Sequence, residues 1–117
     1  MDENRQSQRA AYTARIDQLL RARSDYPRFG GDEDFIAATG IDISRGGMAC
    51  ESATPMEPLT RIAIMFTLPA GAGNRKIRCE GYVAHSSYDG TRCVFGVCFD
   101  DLTAAEAAAI DAYIGAS

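Results

Sequence analysis

Alternation of apolar and polar residues over residues 61–99 is the feature that most limits how this chain can fold. In residues 61–68 apolar side chains fall at every second position, and the pattern recurs in residues 76–85 and 91–99. A period of two is that of a half-buried β-strand and does not fit a helix. Three such runs at short spacing predict a small antiparallel barrel or sandwich. The expected inward side chains are Ile62, Ile64, Phe66 and Leu68, then Ile77, Cys79, Gly81 and Val83, then Cys93, Phe95, Val97 and Phe99.

Turn signals separate these runs. Residues 69–74 are rich in glycine and alanine and predict a short loop. Residues 86–91 contain Asp89-Gly90, a strong hairpin signal because both residues tolerate a positive φ. Residues 24–34, with one proline, two glycines and three consecutive acidic residues, predict a longer loop.

Two further strands and one helix complete the expected fold. Residues 35–44 predict a strand, and residues 48–51 predict the strand that returns from it. Thr103 and Glu106 form a capping box at the start of an alanine-rich segment, which predicts a C-terminal helix over residues 103–115. Its apolar side chains can lie against the barrel; they are Ile110, Tyr113 and Ile114.

Residues 10–23 fit two structures. As a strand, one face carries Tyr12, Ala14, Ile16, Leu20 and Ala22, with Gln18 as the polar exception. As a helix, residues 12, 16, 19 and 20 also form an apolar stripe, and the composition favours that state. Periodicity leaves both structures open.

Length, composition and charge indicate one globular domain. The chain has 117 residues, of which 24% are charged and 46% are apolar. Its net charge of −4 argues against binding of a nucleic acid polymer through a basic surface. No apolar run approaches the ~20 residues that a transmembrane helix needs, and the polar start lacks a signal-peptide core. We therefore expect a cytoplasmic protein that does not insert into a membrane.

The cysteines and the single histidine predict neither a metal site nor a catalytic centre. Cys50, Cys79, Cys93 and Cys98 form no CxxC pair and have no metal-ligand spacing with His85. We interpret them as reduced thiols that pack like small apolar side chains. No third group is evident to orient a Cys–His pair, so an enzyme is not expected and no cofactor is implied.

Polar residues cluster at one glycine-containing stretch, residues 42–47, Asp-Ile-Ser-Arg-Gly-Gly. Asp42 and Ser44 are two residues apart and would point to the same side of an extended chain. A carboxylate beside a hydroxyl suits a ligand that offers donors and acceptors, such as a guanine base. The alternative is an ordinary hairpin turn in which both side chains bond their own backbone.

The beginning of the chain is rich in arginine, although the protein is acidic. Arg5 and Arg9 belong to this segment, which predicts a local anion site or, alternatively, a solvated terminal stretch. Residues 1–9 show no apolar periodicity and are expected to be mobile in the free protein.

In order, these motifs resemble the PilZ domain, a family that binds the bacterial second messenger cyclic di-GMP. The family signature is Arg-x-x-x-Arg before the first barrel strand, followed by Asp/Asn-x-Ser-x-x-Gly. Arg5 to Arg9 matches the first part, and Asp42 to Gly47 matches the second. Residues 80–83 and 94–99 are similar to later strands of the family. The 32 residues between Arg9 and Asp42 exceed the usual spacing, and the loop at 24–34 accommodates the excess most simply.

The resemblance implies a mainly β fold, a six-stranded antiparallel PilZ-like barrel with a C-terminal helix, and it favours a strand for residues 12–22. It implies a flexible N-terminal arm, residues 1–11, on a single domain of residues 12–117. The implied ligand is cyclic di-GMP, with a downstream protein partner whose identity the sequence does not give. The implied binding residues are Arg5, Arg9, Asp42, Ser44, Arg45, Gly46 and Gly47. The alternative is a PilZ-like interaction adaptor that binds no nucleotide.

Overall fold

The computed structural model describes residues 8–22, 33–70 and 73–116. They form eight antiparallel strands and one helix. The strands are β1 (Arg9–Ala11), β2 (Gln18–Ala22), β3 (Glu33–Phe35), β4 (Ala38–Ser44), β5 (Gly47–Ser52), β6 (Arg61–Ala70), β7 (Gly73–Tyr88) and β8 (Cys93–Phe99). The helix is α1 (Ala104–Ala116), and the order of strands is β1-β4-β5-β8-β7-β6-β2-β3.

The eight strands form a six-stranded barrel because two of the barrel strands are each interrupted. β1 pairs with β4, and β2 pairs with β3. Between these pairs the ladder continues through hydrogen bonds from Ile16 N–H to the Ala38 carbonyl and from Gly40 N–H to the Ala14 carbonyl. β1 with β2, and β3 with β4, therefore act as two long strands. The other edge of β2 pairs with β6, which closes the sheet on itself. The predicted fold class is confirmed.

The interior of the barrel is apolar and follows the alternation of the later strands. Every inward position predicted for residues 61–68 is buried, as are those of residues 77–83 and 93–97, because one face of each strand turns inward. Phe99 packs against this core from a half-buried position. Tyr12 connects several elements: its ring lies edge-on to Phe66, and its hydroxyl donates to the Thr67 carbonyl at 2.6 Å.

Within residues 10–23, the buried side chains differ from those that the strand pattern predicts. Their described part, residues 10–22, contains no helix, but it is not one regular strand either, because bends at residues 14 and 17 separate β1 from β2. Tyr12 and Ile16 are buried as expected, whereas Ala14 is exposed and Leu19 replaces Leu20 as the fully buried residue. The bends break the period of two. As a result, the even-numbered residues Ala10 and Tyr12 face inward at β1, whereas the odd-numbered Leu19 faces inward in β2.

Loop boundaries differ from the predictions by a few residues. Glu33 and Asp34, expected in the loop at 24–34, belong to β3, while residues 23–32 lie outside the described part. The strand expected over 35–44 is interrupted at residues 36–37. Strand pairing also extends into the loops predicted at 69–74 and 86–91: Pro69 pairs with Asn74, and Tyr88 pairs with Cys93.

Each helix and turn signal has a clear local basis. In the capping box, Glu106 N–H donates to Thr103 Oγ1 and Thr103 N–H donates to Glu106 Oε1, both at 3.1 Å. At the hairpin, Gly90 has φ of +95°, which favours glycine. Asp89 accepts hydrogen bonds from the backbone N–H groups of Arg92 and Thr91, and these bonds lower the pKa of its carboxyl.

The cysteines are free thiols at positions of different burial. Cys50, Cys79 and Cys93 are buried, whereas Cys98 is half-buried on the outer face. Burial raises the pKa of Cys50 to about 12, with a smaller contribution from the nearby Asp42 carboxylate. Burial likewise raises the pKa of Cys79 to about 12, with further contributions from acidic side chains. Both thiols are therefore protonated and unreactive at neutral pH.

Thiol titration tests this arrangement. In native protein at pH 8, we expect one of the four thiols, Cys98, to react with Ellman's reagent, and the other three to react only after denaturation. Cys98→Ser should abolish the native reaction. Rapid modification of two or more thiols in the folded protein would contradict the burial described here.

Candidate functional site

The pairing of β1 with β4 brings together two sequence motifs that are far apart in the chain. Arg9 lies opposite Ser44, and Ala11 lies opposite Asp42. Ala10 and Ile43, between them, are buried. Because neighbours along a strand point to opposite faces, Arg9, Asp42 and Ser44 share the outer face of the barrel.

Arg9 bonds to both polar side chains of the downstream motif. Its Nε donates to Asp42 Oδ1 at 2.7 Å, its Nη2 lies 2.7 Å from the same oxygen, and its Nη1 donates to Ser44 Oγ at 3.2 Å. The Ser44 hydroxyl in turn donates to the Gly47 carbonyl at 3.4 Å. Arg9 is 43% exposed and Asp42 is 33% exposed, so a ligand can approach both groups from solvent.

Asp42 faces outward because of an irregularity in β4. The register between β4 and β5 shifts between Gly40 and Asp42, so that Ile41 is an extra residue and Asp42 lies opposite Ala49. A bulge of this kind redirects the side chains that follow it. Gly40 also makes room for the ring of Tyr12, since a Cβ atom there would lie 2.7 Å from Tyr12 Cδ2.

The two glycines of the motif have different structural roles. A Cβ atom at Gly47 would collide with the carbonyl oxygen of Val97 on β8, whereas one at Gly46 would meet nothing within 4 Å. Neither glycine lies in the left-handed region of φ. A positive φ is therefore not the reason for glycine at either position. Gly47 is instead required for the close approach of β5 to β8.

Helix α1 contacts both parts of the site. Arg45 Nε lies 3.5 Å from Asp111 Oδ2, so the motif turn is ion-paired to the helix. The hydroxyl of Tyr113 donates to the carbonyl of Ala11 in β1 at 2.6 Å. Ile110 is fully buried in the core beneath. The helix therefore touches the turn and the strand that carry the clustered side chains.

The sequence-predicted residues fall into three groups. Arg9, Asp42 and Ser44 form the cluster, and the carbonyl of Gly47 accepts the hydrogen bond from Ser44. Arg45 and Gly46 lie exposed at the adjacent turn, and Arg45 faces the helix. Arg5 lies outside the described residues. Among those described, no group of three or more His, Cys, Asp or Glu side chains could hold a metal ion.

The described part of the predicted arm is a strand and not a loose segment. Residues 9–11 form β1 because their backbone pairs with that of residues 42–44 in β4. The mobility predicted for residues 1–7 concerns residues outside the described part.

These features define a small closed β-barrel domain with a polar cluster on its outer face. The family model described as the PilZ domain matches residues 3–116. Because that match covers nearly all of the chain, the protein belongs to the PilZ domain family.

One solved structure gives an independent comparison of the fold. The Bacillus subtilis inhibitor of motility, MotI/DgrA, superposes with a TM-score of 0.72 at 18% sequence identity. The comparison covers 98% of this chain but 51% of that protein, so this chain spans about half of its length. No curated protein sequence matches this chain significantly. In the described residues, no helix is long and apolar enough to cross a membrane.

The contrast between the two glycines gives a testable prediction. Gly47→Ala should lower the free energy of unfolding by about 1–3 kcal/mol, because the new methyl group forces β5 away from β8. Gly46→Ala is the matched control and should change it by less than about 0.5 kcal/mol. Urea denaturation monitored by circular dichroism measures both. Equal stabilities of the two variants would refute the assigned role of Gly47.

Proposed function

We propose that this domain is a cyclic di-GMP sensor that relays the state of its ligand site to a partner protein. The observation that carries the proposal is the convergence of three polar side chains: Arg9 and Asp42 are accessible from solvent, and the buried hydroxyl of Ser44 bonds to Arg9. Membership of the PilZ family, which is associated with this messenger, supports it. The proposed activity is binding and not catalysis, and the proposed location is the cytoplasm.

The chemistry of the cluster suits a guanine dinucleotide. A guanidinium can bind a phosphate bidentately or donate to guanine O6 and N7. The Asp42 carboxylate can accept from the guanine N1–H and N2–H₂ groups, with the Ser44 hydroxyl beside it. The Arg9–Asp42 pair is solvent-exposed, and such pairs contribute only about 0–1 kcal/mol. Exchange of their mutual bonds for bonds to a ligand therefore costs little.

Arg5 completes the proposed site. Residues four apart lie ~13 Å from one another in an extended chain, so the segment preceding β1 must curl for Arg5 and Arg9 to reach one ligand. In the proposed mechanism this segment orders over the bound nucleotide. The ordering changes the surface presented to a partner. Arg45 and Tyr113 connect the same region to α1, which makes the helix part of that surface.

The alternative function is that of an adaptor that binds no nucleotide. The bonds among Arg9, Asp42 and Ser44 also favour this alternative, because they would serve to tie β1 to β4. Isothermal titration of the folded protein with cyclic di-GMP distinguishes the two functions. Measurable heat with a defined stoichiometry supports the sensor, and its absence supports the adaptor.

Arginine variants test the role of the cluster. Charge-assisted hydrogen bonds contribute roughly 1.5–3 kcal/mol each, so Arg5→Ala and Arg9→Ala should each weaken cyclic di-GMP binding about tenfold or more. Arg21→Ala is the matched control, because Arg21 is also ion-paired, to Asp34 at 3.1 Å, at the opposite end of the same hairpin. The Arg21→Ala variant should bind cyclic di-GMP with the affinity of the wild type. An Arg9→Ala variant that binds like the control would remove Arg9 from the site.

Asp42→Ala tests the recognition of the base. It should lower the affinity for cyclic di-GMP about tenfold or more but change the weaker affinity for cyclic di-AMP little, because adenine lacks the N1–H and N2–H₂ donors. Titration with both nucleotides measures the difference. Equal losses with the two ligands would assign Asp42 a role in shaping the backbone.

A further inference from the structure

The outer face of the barrel continues from the polar cluster across three more strands. Asp42 on β4 lies opposite Ala49 on β5, and Ala49 lies opposite Gly96 on β8. Gly96 in turn lies opposite His85 on β7. A parallel row runs across the sheet through Gly47, Cys98 and Tyr82, and the Ser44 hydroxyl donates to the carbonyl of Gly47 at its beginning. Directly opposed residues share a face, so both rows point outward.

The middle of these two rows is a floor of small residues. Its four members, Gly47, Ala49, Gly96 and Cys98, occupy two strands that lie side by side. Large side chains at these positions would fill the surface above the sheet. In these two rows, no side chain between β4 and β7 is larger than that of cysteine. We call this surface the outer trough.

Two aromatic side chains of β7 lie at the far edge of the outer trough, opposite Gly96 and Cys98. The His85 ring takes the place of a side chain at Gly96, since a Cβ atom there would lie 2.5 Å from Nε2 and 2.7 Å from Cε1. Tyr82 lies directly opposite Cys98 in the strand register, so its side chain is on the same outer face. Tyr82 is half-buried and His85 is exposed.

A β-bulge accounts for the position of His85. The register between β7 and β8 shifts between Val83 and His85, which inserts Ala84 and places the imidazole opposite Gly96. The bulge in β4 similarly places Asp42 at the other end of the same row. Both ends of one row are thus set by bulges, which occur preferentially beside functional sites.

The trough is too wide for a single base. Adjacent strands lie about 4.8 Å apart, so the backbone of β7 is about 14 Å from that of β4. A ligand that contacts Asp42 through the edge of one base needs a second planar group to reach the aromatic rings. Nucleic acid bases stack on aromatic side chains with little dependence on sequence.

We propose that Tyr82 and His85 form a stacking subsite for the second purine base of a dinucleotide whose first base is held at Asp42. This inference rests on the proposed function and adds two binding residues outside both sequence motifs. The subsite contributes affinity through stacking on the planar faces of the rings. Hydrogen bonds between Asp42 and the edge of the first base distinguish guanine from adenine. Stacking uses the ring of Tyr82, and its hydroxyl is not required to contact the ligand.

Isothermal titration with cyclic di-GMP tests the subsite. Tyr82→Ala and His85→Ala should each weaken binding about tenfold, the effect expected for loss of a stacked base. Tyr82→Phe keeps the ring and should bind like the wild type. Tyr88→Ala is the matched control on the same strand, since Tyr88 is 47% exposed but lies opposite the inward-facing Cys93, outside both rows. It should also bind like the wild type.

A second variant tests the path across the floor. Ala49→Leu places a larger side chain between Asp42 and the aromatic rings and should weaken binding about tenfold or more. Melting temperatures of all variants check that the barrel is intact. Wild-type affinity in this variant would show that the ligand does not cross β5, and the proposal would be rejected.

The outcomes separate this inference from the proposed function. If the wild type binds cyclic di-GMP and both Tyr82→Ala and His85→Ala retain its affinity, the stacking subsite is wrong while the sensor function stands. If the folded wild type does not bind the nucleotide, the sensor function fails and the subsite fails with it. Nuclear Overhauser effects between the Tyr82 ring and the guanine H8 proton in the complex would locate the base directly, and contacts elsewhere would overturn the proposal.

Discussion

The antiparallel ladder between residues 9–22 and residues 33–44 is the constraint on which the rest of the structure depends. At one end it sets Arg9 opposite Ser44, and through β2 it provides the edge that closes the barrel on β6. The polar cluster is therefore fixed by backbone pairing and not by the side chains themselves. This matters because an exposed arginine–aspartate pair holds its geometry weakly in water.

The candidate site and the hydrophobic core lie on opposite faces of the same strands. Inward positions of β4, β5, β7 and β8 carry mostly apolar side chains, while their outward positions carry the cluster, the small floor and the aromatic edge. A change of one residue in register would exchange these sets. The bulges in β4 and β7 make such an exchange locally without disturbing the core. The outer face can thus be adapted to a ligand at little cost to folding.

The predictability of each element follows from how local its cause is. The alternation of residues 61–68 and the capping box at Thr103 depend on near neighbours, and the structure has both as predicted. The change of inward face between Tyr12 and Leu19 depends on bends that no local pattern marks. The role of Gly47 depends on Val97, fifty residues away, and the sequence shows only that a glycine is present.

The aromatic edge was missed for the same reason. Tyr82 and His85 lie within a strand that the alternation predicts, yet their relation to Asp42 requires the cross-strand register and a bulge. The motifs identify Arg9, Asp42 and Ser44 because those residues match the family's binding signature, whereas Tyr82 and His85 lie outside both parts of that signature. The alternation within residues 76–85 did indicate that Tyr82 faces outward, which was the available signal.

The bond from the Tyr113 hydroxyl to the Ala11 carbonyl joins residues 102 positions apart. During synthesis, β1 leaves the ribosome long before Tyr113 is made, and contacts between such distant residues form late in folding. Strand β1 therefore lacks its hydrogen bond to Tyr113 until nearly the whole domain has left the ribosome. A translating chain would thus acquire its completed helix contact only at the end of elongation of this domain.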